Sequence, residues 1–303
     1  NSVVHSVLYD ETLQKAIGVR VIDAKTKESQ DYFAKVVFVT AATLNTNLIL
    51  LNSKSNRFPN GLGNDNGLMG KYIAFHNYRA TINAQYKGFP DRTIEGAKPT
   101  SHYVPRFRNV YKQETDFLRG YAAGFGASPE RETDREGFGE NLKDQLLQTK
   151  ETGVWNVNSH MMGETIPKAS NQVSLDHEKV DEWGIPLLNI DVDYDENDEK
   201  MIQDFFEQFT EMFTKAGFVN IQTNDNKRRP GNDIHEMGGV RMGKDPKTSL
   251  LNGWNQLHEC KNVFVTDGAC MTSTSTQNPS LTFMAITARA ANYAIEQMKK
   301  GLI

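Results

Sequence analysis

A chain of 303 residues is long enough for about two domains and a substantial core. Its 34 Lys and Arg against 38 Asp and Glu leave a net charge of −4 with the signs intermixed, which gives no footing for a nucleic-acid or polyanion surface. No apolar run approaches the ~20 residues that cross a bilayer, and two cysteines and seven scattered histidines form neither a disulfide framework nor a metal-ligand spacing.

In chain order, residues 1 to 52 read as hairpin, strand and helix. Ala16 to Ile22 alternates around Val19 and Val21, and Thr26-Lys-Glu28 makes a polar turn. Ala34 to Val39 reads as a buried strand that passes through Ala41 and Ala42 into the apolar run Leu44 to Leu51. Small residues at the carboxyl end of a strand let a cofactor approach the backbone, and they serve tight strand–helix packing equally well. Residues 53 to 80 are loop-rich, with Asn60 to Gly67 too polar for the core.

Between 80 and 225 the texture changes to short strands and amphipathic pieces. Arg79 to Tyr86, His102 to Phe107, Tyr121 to Phe125, Trp155 to Met161 and Leu187 to Val192 are predicted strands, and Glu130 to Lys150 an exposed loop or helix. Met201 to Ala216 is predicted as a helix with Ile202, Phe205, Phe206, Phe209, Met212 and Phe213 on one face, stopped by Gly217. An α/β fold, α+β overall, accounts for this order: an antiparallel sheet backed by helices, inserted between two parts of a nucleotide-binding domain.

The last quarter carries the chemistry. His235-Glu-Met-Gly-Gly-Val-Arg-Met-Gly243 is followed by Asn262-Val-Phe-Val-Thr-Asp-Gly268 and by Gln277-Asn-Pro-Ser-Leu-Thr282. The order is glycine-rich loop, strand, acidic turn, helix. Leu281, Met284, Ala285, Ala288, Ala291 and Ile295 mark that helix, with Asn278 as a good N-cap and Pro279 at its first position. The free N–H groups and dipole of a helix start favour an anionic or electron-rich group. His235 beside such a loop also suits a structural hydrogen-bonding role, and Asn278 a purely capping one.

These segments resemble the C-terminal signature of the glucose–methanol–choline (GMC) oxidoreductases, with details similar to the bacterial sugar and glucoside 3-dehydrogenase branch. Ala34 to Thr46 and Gly67-Leu-Met-Gly-Lys71 with His76 are similar to elements midway through family members. The family's G-x-G-x-x-G turn for the FAD pyrophosphate is absent; Gly61-Leu-Gly63 and Gly124-Phe-Gly126 lack the third glycine. The chain is therefore expected to be the C-terminal half to two-thirds of such an enzyme, and by itself to bind FAD weakly or not at all. The resemblance implies residues 1 to 55 as a remnant of the FAD-binding domain, 56 to 228 as the substrate domain and 229 to 303 as the return to the FAD-binding domain.

It also implies roles. His235 matches the catalytic histidine and Asn278 the second member of the pair. Asp267 and Gly268 match a contact to the ribityl–pyrophosphate region. The backbone of Pro279, Ser280, Leu281 and Thr282 would approach the flavin ring, with Asn278, Ala41 and Ala42 alongside. Oxidising an alcohol removes the hydroxyl proton while hydride leaves for the flavin, and imidazole is the natural acceptor near neutrality. An amide is no base, but it donates to the substrate oxygen.

Trp254, Asn255, Gln256, His102, Tyr103 and Arg106 are weaker candidates for sugar contacts, being polar and aromatic groups in loops. By resemblance alone, a small partner subunit, a cytochrome electron acceptor and a periplasmic setting are expected. Two readings of other classes stay open: a folded but inactive substrate or oligomerisation domain, and a carbohydrate-binding module without redox chemistry.

Overall fold

The computed structural model describes residues 1–89, 102–129, 137–147, 154–231 and 234–303. In chain order its elements are β1 (Ser2–Asp10), β2 (Lys15–Asp23), β3 (Ser29–Phe33), β4 (Val37–Val39), α1 (Thr43–Asn52), β5 (His76–Asn77), β6 (Ala80–Tyr86), β7 (His102–Val104), β8 (Tyr121–Pro129), α2 (Glu140–Leu147), β9 (Trp155–Glu164), β10 (Gln172–Val180), β11 (Pro186–Asp191), α3 (Glu196–Lys215), β12 (Val219–Asp225), β13 (Val263–Val265) and α4 (Ser280–Lys299). The fold is mixed α/β with several antiparallel sheets, as the pattern predicts. Within the span predicted as a charged loop or helix, α2 forms, while 130–136 and 148–150 lie outside the described residues.

Two compact units divide the chain, Asn1–His76, Glu164–Asp193 and Arg229–Ile303 against Asn77–Gly163 and Tyr194–Arg228. The boundaries differ from those drawn on the sequence, because 56–76 and 164–193 join the first unit. The hairpin of β10 and β11 accounts for part of this. Val173 donates its N–H to the Gly70 carbonyl at 2.8 Å, and Gly70 donates to Gly239 at 2.9 Å. Leu175 is buried in the same core as Ile49 and Leu50.

In the first unit β1, β2 and β3 form an antiparallel sheet, and β4 pairs in parallel with β13, Val37 to Val263 and Val39 to Val265. Strand alternation then sorts the side chains. Val37, Val39, Val263 and Val265 enter the core with Ile49 and Leu50. On the opposite face Phe38 stacks on Phe264 at 5.0 Å, and Phe264 packs on Ala290 and Ala294 of α4. Leu62 corrects one expectation: although it sits in the polar run 60–67, it is fully buried in this core. Cys260 and Cys270 are free buried thiols, and burial pushes them up to about 11 and about 12.

Helix α4 buries a different face from the one its apolar spacing marks. Ala290 and Ala294 are buried, with Phe283, Ile286 and Tyr293 partly so, whereas Leu281, Met284, Ala285, Ala288 and Ile295 are exposed. The helix is apolar on two faces, and only one meets this chain's own sheet.

The second unit is a sheet in the order β12-β6-β9-β8-β7, antiparallel throughout, backed by α3. The predicted stripe does the packing: Ile202, Phe205, Phe209 and Phe213 lie fully buried against Ile82, Ala84, Tyr121, Ala123 and Val157, with Met201 added and Met212 left exposed. The helix starts earlier than its apolar stripe because Asp195 caps it, accepting from the Asn197 N–H while Asp198 reaches back to the Asp195 N–H. Gly217, at φ 81°, follows its last turn. Arg79 sits beneath the sheet edge, bound to Asp225 at 2.6 Å and to Glu199.

Candidate active site

Both parallel strands of the first unit end beside the same group of residues. The chain leaves β4 through Ala41 and Ala42, the latter at φ 65°, and α1 begins with no side-chain cap. It leaves β13 through Thr266 and Asp267 into a 3₁₀ turn, Gly268–Cys270. Asp267 joins the two exits. One carboxylate oxygen accepts from the Thr46 hydroxyl at 2.5 Å, the other from the Ala269 N–H at 3.0 Å, and the Ala42 N–H also reaches it. Burial pushes this carboxyl up, and the hydrogen bonds from Thr46 and Ala269 oppose the shift.

The glycine-rich segment after His235 lies against the same turn. Gly238, Val240 and Met242 donate to the carbonyls of Gly268, Ala269 and Cys270 at 2.9–3.0 Å. A Cβ on Gly268 would stand 2.3 Å from the Thr43 hydroxyl oxygen and 2.5 Å from the Glu236 carbonyl, and one on Gly239, at φ 87°, would stand 2.1 Å from Asn47 Oδ1. Only glycine fits at both places. Asp267 and Gly268, for which the resemblance implies a cofactor contact, form the joint between β13, α1 and the His235 segment within this chain.

His235 is half-buried at φ 71°, and its Nδ1 is buried with no hydrogen-bond partner among the described residues. Burial holds the imidazole below the usual histidine value, so it is neutral at pH 7. Its ring meets that of His76, a buried residue that sequence reasoning left out of the site. Next to His76, Phe75 exchanges hydrogen bonds with Thr165, and Glu164 accepts from Ser273, five residues before Asn278. The segment 273–278 is thus tied to the histidine side of the unit.

Asn278 itself is exposed. The expectation that it caps α4 is corrected: Pro279 occupies the cap position and no side chain caps the helix. The Asn278 amide is therefore not spent on capping, and the start of α4, with Ser280, Leu281 and Thr282, faces outward.

Three weaker candidates are also corrected. Asn255 is fully buried and donates to the Val265 carbonyl at 3.0 Å, while Arg289 donates to its Oδ1 at 2.9 Å. Gln256 is buried and bonds Lys261 and Asn252. Both amides hold their own turn, which leaves nothing for a ligand. Trp254 is not among them: it is exposed, with its ring stacked on Tyr293 at 4.9 Å. In the second unit, Arg106 is spent on the carbonyls of Arg108, Asn109 and Arg119, whereas His102 and Tyr103 are exposed on β7.

That unit carries a feature the sequence pass missed. On the sheet face away from α3, Asn83, Gln85, Asn156, Asn158, Asn220 and Gln222 line a groove of about 670 Å³. The signal was present as amides at period two on three separate strands.

Residues 167–287 match the GMC oxidoreductase C-terminal family model. The 2-methyl-1,2-propanediol dehydrogenase of Mycolicibacterium austroafricanum is 31% identical over 294 residues, which cover 92% of this chain and 51% of that protein. The fructose dehydrogenase large subunit of Gluconobacter japonicus is 25% identical, covering 91% and 50%. A solved structure of the formate oxidase of Aspergillus oryzae, studied for the modification of its FAD, superposes with a TM-score of 0.66 at 13% identity, over 100% of this chain and 61% of that one. Residues 167–287 carry the C-terminal domain of the GMC oxidoreductases. The chain spans about half the length of the curated relatives it matches.

Proposed function

We propose that the chain is the C-terminal part of an FAD-dependent oxidoreductase that oxidises a CH–OH group of a sugar, glycoside or other alcohol. The observation that carries the reading is His235: an imidazole that burial keeps neutral, whose Nδ1 makes no hydrogen bond among the described residues. Relatives named for a diol and for fructose support the substrate class.

The residues present fit a flavin. The uncapped, outward-facing start of α4 presents N–H groups of the kind that stabilise negative charge, whereas at the start of α1 the Ala42 N–H already meets the Asp267 carboxylate. When bound, the flavin supplies the hydride acceptor. The chain's own residues do the rest. His235 takes the hydroxyl proton of the substrate, and the Asn278 amide, free of capping duty, donates to the substrate oxygen and orients it.

The test is flavin reduction by alcohol in the full-length enzyme. His235→Ala is expected to slow it by roughly 10²–10⁴-fold, the usual worth of a positioned general base. Flavin content should stay at the parent level, because the imidazole touches substrate rather than cofactor, and Asn278→Ala should cost less. Reduction of His235→Ala at the parent rate would refute the assignment.

A further inference from the structure

His76 and His235 stand edge-to-face, ring centroids 5.1 Å apart and planes at 85°. Register explains the pairing. Ala74 and Met237 exchange backbone hydrogen bonds of 2.9 and 2.8 Å across an antiparallel bridge. In such a pair, moving two residues outward on each side returns to the same face. Two residues after Ala74 is His76, and two before Met237 is His235, so the rings meet across the ladder. The two histidines lie 159 positions apart in sequence, and one bridge brings them together.

A proton-accepting histidine is commonly held by a hydrogen bond from its second ring nitrogen to a carboxylate or carbonyl. The buried Nδ1 of His235 makes no such bond among the described residues, and its backbone sits at φ 71°, an uncommon conformation for a residue other than glycine. Among the described residues, the edge-to-face contact with His76 is a restraint on the plane of the ring. We infer that His76 is a positioning residue, holding the His235 imidazole at the orientation from which it takes the substrate proton. This rests on His235 being the proton acceptor. His76 touches His235 and does not touch the reacting atoms. Aromatic edge contacts are weak individually but directional, and a base displaced by about 1 Å loses on the order of 10²-fold in rate.

Two variants separate orientation from packing. His76→Phe keeps a ring and its edge, while His76→Leu fills similar volume without one. In the 303-residue chain with isotope-labelled histidine, ring-to-ring nuclear Overhauser contacts between His76 and His235 are expected in the parent. His235 ring signals should stay sharp in His76→Phe and broaden in His76→Leu, with both variants melting near the parent temperature. In the full-length enzyme, His76→Leu should lower the flavin-reduction rate about 10²-fold at little changed KM, and His76→Phe should restore most of it. If His235 signals and rate are the same in His76→Leu as in the parent, the positioning role is overturned. A parent-like rate in His235→Ala would instead overturn the catalytic reading, while the ring coupling seen by resonance would stand or fall separately.

Discussion

Both oxygens of Asp267 are engaged inside the fold, one by the Thr46 hydroxyl and one by the Ala269 N–H, and both donors belong to fully buried residues. Removing the carboxylate leaves two buried donors unpaired, and each such loss costs about 1–3 kcal/mol. Asp267→Ala is therefore expected to lower the unfolding free energy by roughly 2–4 kcal/mol. Asp267→Asn, which still accepts, should lose less. Denaturant unfolding of the two variants measures the difference; equal stability of Asp267→Ala and the parent would place the carboxylate's role outside the fold. His235 and Asn278 differ from Asp267 in kind. Among the described residues, one has a ring nitrogen without a hydrogen bond and the other is an exposed amide, so each keeps polar capacity that those residues do not use.

At the scale of elements, the ion cluster that joins β6, α3 and β12 is the clearest energetic statement. Arg79 is 6% exposed at its side chain and Asp225 is 14% exposed, so neither charge is well hydrated. Burial by itself pushes the Asp225 carboxyl up, yet hydrogen bonds from Arg79 and Lys227 outweigh it and hold the group at about 2. The folded value lies below the unfolded one. The stabilisation is therefore present above pH 4 and is lost as pH falls from about 4 through about 2, on the order of 2 kcal/mol. Arg79→Met strands the Asp225 charge and is expected to destabilise by roughly 3 kcal/mol, at the low end for a broken buried pair because Lys227 remains 2.7 Å away. The pH dependence of unfolding should flatten in Asp225→Asn. An unchanged acid limb in that variant would show that other carboxylates set it.

Across the whole molecule, the exposed stripe of α4 is the largest departure from a self-contained fold. Leu281, Met284 and Ile295 are 77, 69 and 50% exposed along one helix. An apolar row of this length marks a surface that binds something apolar. The chain by itself is expected to bind an environment-sensitive hydrophobic dye, and Leu281→Gln combined with Met284→Gln and Ile295→Gln should reduce that signal. Exposed positions contribute little to stability, so the melting temperature should move by only a degree or two. A dye signal that survives the triple substitution would locate the exposed apolar surface elsewhere.

What the sequence determined by itself is what short-range periodicity and local chemistry encode. The aromatic stripe of α3, the stop at Gly217, the apolar strand Val263–Val265 and the spacing from His235 to Asn278 were all readable, because each depends on neighbours within a few turns or on residue type alone. Strands β10 and β12 were not, since Gln172–Val180 and Val219–Asp225 are too polar to announce themselves and owe their conformation to hydrogen bonds with β11 and β6. Buried Leu62 lay hidden among glycines and asparagines, and α4 has two apolar faces between which its own sequence does not choose. The same limit applied at the site. That Asn255 and Gln256 are consumed by their turn, and that His76 faces His235 across one backbone bridge, follow from contacts between distant segments, which only the tertiary fold creates.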